Sequence, residues 1–401
     1  MVIGIASKKC MKISIVHNYY QIAGGEDGVL DSECKLLTSK ANSLELVSVN
    51  NDHIISTLAK IKALFGVVFS WSQFTKLKRM LRTQNPDVVH VHNYFPVISP
   101  AIFYACKSTH TPVVHTLHNY RAVCPTALLM HDGKVNERSI NGSSWWAITK
   151  KVYKDSFVGT LALSLMVEAH KKTGTWQTKV DRYIALTEFA RNKYIEAGWP
   201  AAKIVVKPNF IHDPFNGDAS VVKEGGYGLF VGRLSEEKGI DILFESWTSV
   251  TGKLKVIGDG PLKGFVEDQN SDNIEFLGRK DKPAVLELVR NADFIIMPST
   301  WYEGFPMVLV EAFACGTPAL VSRLGSMEEI VKDGITGLHF EAGNAKDLAE
   351  KAQWLIKNPT RARDMGQNAR NEYLAKYTPE KNYTMLMDIY QQAIDEAKKH
   401  S

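Results

Sequence analysis

The chain has 401 residues, of which 45% are hydrophobic and 23% charged, with a formal net charge of +5. That length holds two domains with full-sized cores, and the ordinary globular composition excludes a disordered, collagenous or disulfide-stapled polypeptide. No apolar run reaches the roughly 18 residues that span a bilayer, no signal-peptide core is legible, and Cys10, Cys34, Cys106, Cys124 and Cys315 form no C-x-x-C pair, as expected of a reduced compartment. The net charge hides a split. Residues 1–210 carry 26 Lys+Arg against 14 Asp+Glu, whereas 211–401 carry 22 against 29, which points to two domains with only one meeting an anionic surface.

Residues 1–10 read as an extension ahead of MKISIV, a natural opening to a first strand over Ile13 to Val16. Gly24-Gly25 then makes a loop, and Glu26 to Leu37 a helix; strand, glycine loop and helix N-terminus form an anion-binding layout. Leu44 to Val49 is the next strand. From His53 to Pro86 there is no acidic residue, while Lys60, Lys62, Lys76, Lys78, Arg79 and Arg82 interleave with an apolar-aromatic stripe that includes Phe65, Phe69 and Trp71. Such a helix suits an anionic membrane surface; the alternative is a core-facing helix with a solvated basic back. A second acid-free run, Arg138 to Lys154, contains Trp145, Trp146, Lys150 and Lys151 and strengthens the membrane reading. No nucleic-acid-binding module is visible.

Asp87 to His92 and Pro112 to His118 read as buried strands, and Tyr183 to Leu186 and Ile204 to Val206 follow, with Thr187 capping a helix through Ala197. His90, His92, His115 and His118 offer H-x-H and H-x-x-H spacings, but a catalytic zinc site usually recruits a carboxylate or a third clustered ligand and none is offered nearby, so no metal site is assigned. Histidines at the carboxyl ends of parallel strands instead line a crevice. Lys207-Pro208-Asn209-Phe210 reads as an interdomain linker.

Beyond it, strands and helices alternate as in a doubly wound parallel sheet: LFVG, KLKVIG, IEFLG, DFIIM (Asp293 to Met297) and ALVS (Ala319 to Ser322), each followed by a helix. Gly258-x-Gly260 with Gly264 imitates a dinucleotide fingerprint, but its spacing is one residue too long and Asp259 would oppose a pyrophosphate. Arg233 and Lys238, taken alone, read as a loop arginine and a solvated lysine. Between the fourth and fifth strands lies STWYEGFPMVLVEAFACGTP. Its Gly304-Phe305-Pro306 turn opens a helix, with Pro306 in the first turn, Met307 following, and Glu311 about two turns in. The helix N-terminus is an anion site flanked by Glu303 and Glu311, each able to accept two hydrogen bonds from a vicinal diol. Phosphate between two diol readers suits a nucleotide-sugar. Helices over Ala345 to Lys357, Thr360 to Lys376 and Pro379 to Lys399 complete the chain.

Glu303 and Glu311, separated by seven residues within EGFPMVLVEAFACGTP, together with the Arg233-x4-Lys238 pair, resemble the signature of retaining glycosyltransferases of family 4 (GT4). TLHNYRAVCP resembles the subgroup acting in bacterial surface-polysaccharide assembly; Asn136-Glu137-Arg138-Ser139 departs from that subgroup's C-E-x-C pair, in a loop bordering the acceptor. The resemblance runs from Met11 to the end of the chain. It implies an α/β fold of two Rossmann-like doubly wound domains facing across a cleft (GT-B): residues 1–210 on the acceptor side, 211–378 binding the nucleotide-sugar, and 379–401 as a helix crossing back to the first domain. It also implies an enzyme of the hexosyltransferase class, independent of metal and cofactor, with a nucleoside-diphosphate sugar as substrate and a glycan or lipid-linked glycan as acceptor. Its expected place is cytoplasmic, peripheral on the inner face of the plasma membrane. In such enzymes the matching Arg233 and Lys238 grip the diphosphate, and His118 sits beside the donor hexose. Glu303 with Gly304, Phe305, Pro306 and Met307 holds hexose and phosphate, Glu311 holds ribose, and the Gly24-Gly25 loop approaches the donor. No carboxylate stands as a nucleophile, so front-side attack is expected, the departing phosphate oxygen taking the acceptor proton. A sugar-nucleotide epimerase of the same fold and a non-catalytic membrane-associated binding protein are the rival expectations.

Overall fold

The structure is a computed structural model describing residues 10–20, 24–50, 66–215 and 225–399. Residues 1–9 of the expected extension, residues 21–23 and residues 51–65 of the basic stretch lie outside the described residues.

In the first half, strands β1 (Lys12–Tyr19), β2 (Ser43–Asn50), β3 (Val88–Asn93), β4 (Val113–Leu117), β5 (Arg182–Ala185) and β6 (Ile204–Val206) form one sheet in the order β2-β1-β3-β4-β5-β6. All five pairings are parallel. A parallel sheet is covered on both faces, so its strands read as continuous apolar runs, and β3 and β4 are buried throughout. One face packs on α2 (Trp71–Gln84), α3 (Ala101–Ser108), α4 (Phe157–Lys172) and α5 (Glu188–Glu196), through Leu77, Phe103, Met166 and Tyr194. The other face, including Ile13, Ile15, Val88 and Ile184, packs on α1 (Gly25–Ser39) and on the distant C-terminal helix through Tyr383, Leu386 and Tyr390.

The second half repeats the plan. Strands β7 (Tyr227–Val231), β8 (Lys253–Ile257), β9 (Ile274–Gly278), β10 (Phe294–Met297), β11 (Ala319–Ser322) and β12 (Gly337–Phe340) run in the order β9-β8-β7-β10-β11-β12, all parallel. That is the strand order of dinucleotide-binding sheets, with its switch point between β7 and β10. The flanking helices are α6 (Ile240–Trp247), α7 (Lys263–Asp268), α8 (Lys282–Asn291), α9 (Met307–Ala314), α10 (Ser326–Ile330), α11 (Ala345–Lys357) and α12 (Pro359–Lys376). The final helix α13 (Pro379–Lys399) leaves this half and returns to the first sheet, as the two-Rossmann architecture requires.

Two local expectations are corrected. Pro306 is not in the first helical turn: its φ of −73° and ψ of 104° keep it extended, so it precedes α9 as the cap and Met307 begins the helix. Glu311 therefore stands about one turn after Met307, not two. Strand β12 was not anticipated, since its GLHF carries His339 and leaves no continuous apolar run.

Gly239 closes the turn between Lys238 and α6 with φ +67°, and a Cβ there would lie 2.0 Å from the Pro298 carbonyl oxygen at the end of β10. Left-handed backbone alone costs a side-chain-bearing residue about 1–2 kcal/mol, and the clash adds to it. Gly239→Ala is expected to lose about 3 kcal/mol or more, read as a lower urea midpoint of the second half; an unchanged midpoint would contradict this packing.

Candidate active site

The carboxyl ends of both sheets face each other. Thr187, after β5, has its hydroxyl 3.2 Å from that of Ser326 at the start of α10. The Glu329 carboxylate accepts from the backbone N–H of Glu188 (2.8 Å) and of Phe189 (2.7 Å), the opening residues of α5. Phe189 packs edge-on against Tyr302, 4.7 Å between ring centres. Gly304 comes so close to the first domain that a Cβ would sit 2.7 Å from the His118 carbonyl oxygen. His118, just after β4, and the Gly304 turn, just after β10, thus meet across the gap.

On the second-domain side the site is built around Glu303, which is buried. Its Oε1 accepts from Lys238 Nζ (2.7 Å), Ser299 Oγ (2.6 Å) and Trp301 Nε1 (3.0 Å). Oε2 has no protein partner among the described residues and stays open as an acceptor. The Lys238 ammonium also lies 5.4 Å over the Trp301 ring. Arg233, in the loop after β7, is exposed and makes no side-chain contact among the described residues. Glu311 is buried one turn into α9, with its side chain 7% exposed, and is paired with Lys282, whose own side chain is 58% exposed. Pro306 is buried, while Gly304, Phe305 and Met307 are partly accessible at the helix start. Phe305 packs on Tyr377 and reaches the cores of both halves.

On the first-domain side, Gly24 and Gly25 are exposed, and a Cβ at either would meet nothing within 4 Å. Gly24 N–H donates to Asp27 (2.9 Å), and Glu26 accepts from Asn93 Nδ2 (3.1 Å). The loop is thereby tied to the end of β3, beside the shallow depression that His118, Asn119 and Arg121 help to line. Burial, and secondarily the adjacent Asp27 charge, push the Glu26 carboxyl up to about 7.

The histidines form a buried network that local sequence spacing did not reveal. Glu33 of α1 lies 3.0 Å from His92 Nε2 and 3.1 Å from His90 Nδ1 through Oε1, and 3.3 Å from Lys207 Nζ through Oε2. His92 Nδ1 is 3.0 Å from His118 Nε2, and the two rings stack 5.2 Å apart. His115 instead bonds the Val91 carbonyl inside the sheet, 2.9 Å away, outside this chain of contacts. The expectation that no carboxylate joins the histidines is thus corrected: Glu33 does, from over fifty residues upstream, with the Lys207 ammonium balancing its charge. Burial opposes ionisation of Glu33, yet Lys207, His90 and His92 hold it well below the ordinary carboxylate range. Burial, with His90 as the next cause, lowers His92 to about 4; burial above all lowers His115 to about 3 and holds His118 well down.

Sequence reasoning missed Ser299, Trp301, Lys282 and Glu329 as well as Glu33. Ser299 and Trp301 had a signal, standing four and two residues before Glu303 on the turn leaving a buried strand. The other three meet their partners only through the tertiary fold.

Two family profiles match adjacent parts of the chain: "Glycosyltransferase Family 4" over residues 36–213 and "Glycosyl transferases group 1" over residues 219–372. The chain is 27% identical to an uncharacterized glycosyltransferase of Methanocaldococcus jannaschii, over 96% of this chain and 99% of that one. It is 25% identical to the phosphatidyl-myo-inositol mannosyltransferase of Mycobacterium leprae, over 80% and 78%. The crystal structure of HepE from Anabaena in complex with UDP superposes with a TM-score of 0.65 at 16% identity, over 94% of this chain and 99% of the other. The chain is therefore similar to glycosyltransferases along most of its length, and its fold is GT-B.

The buried histidines make acid stability a test of this network. His92 and His115 are depressed below their ordinary 6.5, so the unfolded chain takes up protons near pH 6.5 while the native one resists until about 4 and about 3. These histidines make stability rise with pH across that window and fall as pH drops from 7 towards 4, on the order of 1 kcal/mol per pH unit each, while the raised Glu26 acts in the opposite sense and offsets about one of them. Glu33, also depressed, contributes a further loss only below its ordinary 4.5. A urea midpoint that stays flat between pH 7 and pH 5 would show that these groups titrate normally.

Proposed function

We propose that this protein is a glycosyltransferase that moves a hexose-type sugar, with retention of configuration, from a nucleoside-diphosphate donor to a hydroxyl of a lipid-linked glycan in cell-surface polysaccharide assembly. The observation that carries the reading is the meeting of Lys238, Glu303, the α9 N-terminus and the His118 carbonyl across one gap. The diphosphate lies against the start of α9 at Gly304 to Met307, where unpaired N–H groups and the helix dipole favour an anion. Arg233 swings onto the phosphates, and Lys238 turns its spare N–H donors to the oxygen that leaves. Glu303 keeps Oε1 engaged and offers Oε2 to hexose hydroxyls, while ribose hydroxyls replace Lys282 at Glu311. The Gly24-Gly25 loop covers the donor from the opposite domain.

The acceptor hydroxyl attacks the anomeric carbon on the face the diphosphate is leaving. As the C–O bond to phosphate breaks with its electron pair, the freed phosphate oxygen takes the acceptor's proton. Fixed cations stabilise the charge as it develops, the role a divalent metal plays elsewhere. That the Anabaena neighbour binds UDP, and the mycobacterial relative is named for a phosphatidylinositol acceptor, supports a nucleotide donor and a lipid-borne acceptor.

Among the described residues no helix is long and apolar enough to cross a membrane. Helix α2 buries Leu77 and Leu81 and turns Lys76, Arg79 and Arg82 outward. Large apolar side chains nonetheless stand in solvent on the first domain: Trp71 (71% exposed), Trp145, Phe157 (52%), Val158 and Leu165. Exposed Lys150, Lys151, Lys154, Lys171 and Lys172 lie near them in the chain. An apolar surface edged by lysines suits peripheral attachment to the anionic inner face of the plasma membrane.

With UDP-, GDP- and ADP-hexoses screened by thermal shift, one base should raise the melting point. With that donor, Arg233→Ala or Lys238→Ala should lower kcat by about 100-fold or more, circular dichroism staying unchanged; near-normal turnover in both would remove the proposed role. In flotation assays with vesicles containing phosphatidylglycerol, the double variant Trp71→Ser/Phe157→Ser should bind about tenfold or more weakly. Equal binding would place the membrane contact elsewhere.

A further inference from the structure

We infer that Glu33 and His92 are positioning residues that fix the tautomer of His118, so that it presents a bare acceptor nitrogen, Nδ1, to a hydroxyl of the donor sugar. This rests on the reading that His118 borders the donor. An ionised carboxylate only accepts hydrogen bonds, so the 3.0 Å contact to Glu33 Oε1 requires the proton of His92 on Nε2. A neutral ring with its proton there has a bare Nδ1. That atom lies 3.0 Å from His118 Nε2, which must therefore donate. The proton of His118 is thus spent inside the protein, and its Nδ1 finds no protein partner among the described residues.

The chain is anchored at its far end. Lys207 holds the other Glu33 oxygen at 3.3 Å, and His90 is kept by Tyr390 OH (2.8 Å) and Thr116 Oγ1 (2.7 Å). Deep burial keeps His92 singly protonated, which preserves the direction of every bond in the chain. The consequence is a substrate rule. A bare nitrogen welcomes an O–H donor and repels a carboxylate, so the group it faces is a neutral sugar hydroxyl and not a uronate.

Two-bond 1H–15N correlation on ¹⁵N-histidine protein at pH 7.5 tests the assignment without any ligand, His118→Gln identifying the signals. His118 should show a protonated Nε2 and an unprotonated Nδ1. His92→Phe removes the acceptor, so the His118 signals should move towards a tautomer mixture. kcat/KM for the donor found in the thermal screen should then fall by roughly two- to tenfold, the span of one neutral hydrogen bond. His92→Gln, whose amide both donates and accepts, should restore the spectrum and most of the activity. A wild-type His118 protonated on Nδ1 would overturn the inference, as would His92→Phe leaving spectrum and kcat/KM unchanged. Full activity in His118→Phe would instead refute the donor-side placing of His118, with the tautomer result intact.

Discussion

Two opposite charges taken out of water, Glu33 and Lys207, set the frame on which the cleft is mounted. Burying such a pair costs several kcal/mol per ion, and the mutual attraction offsets this only when further hydrogen bonds complete the geometry. Here they do: Lys207 also donates to Asn382 Oδ1 at 3.2 Å, and Glu33 accepts from His92 of β3 at 3.0 Å. Lys207 stands where the chain leaves the first sheet, and Asn382 stands on the helix by which it returns. Asn382 also donates to the Pro208 carbonyl at 2.8 Å. Farther along, Ile211 N–H meets the Tyr377 carbonyl and Tyr373 OH meets the Ile211 carbonyl. Both crossings between the domains therefore run side by side, fastened at one charged point.

That arrangement divides the electrostatics of the gap. The wall made by the first sheet is lined with histidines held neutral by burial, while positive charge is gathered on the opposite side at Arg233 and Lys238. Charge near a low-dielectric wall is felt more strongly than in water. For the donor proposed above, the anionic end would thus meet one rim and the sugar the uncharged one. The close approach of the Gly304 turn to the His118 carbonyl keeps the two rims within one sugar ring's reach.

The architecture was legible because a covered parallel sheet writes continuous apolar runs, and the strands named from the sequence return within three residues at either end. The meeting of Glu303 with Lys238 was legible because short turns after buried strands carry both, while Glu311 follows on the helix that the Glu303 turn opens. Glu33 was not. It sits mid-helix on α1 and resembles any helical glutamate until β3 and the departing linker close around it. Lys282 and Glu329 were hidden for the same reason, their partners lying 29 and about 140 residues away. Pro306 misled by one residue, since a φ fixed near −70° fits a cap as well as a first helical turn.

The Glu329 contact has a bearing on turnover. Its two oxygens seize the first two amides of α5, donors that a helix start always leaves over, and do so at the solvent edge. Water can take either place with little loss, so this catch holds the lobes shut weakly and lets them part without a large barrier. For the reaction proposed above, in which a nucleotide must leave each cycle, a clasp of that kind is cheap to undo.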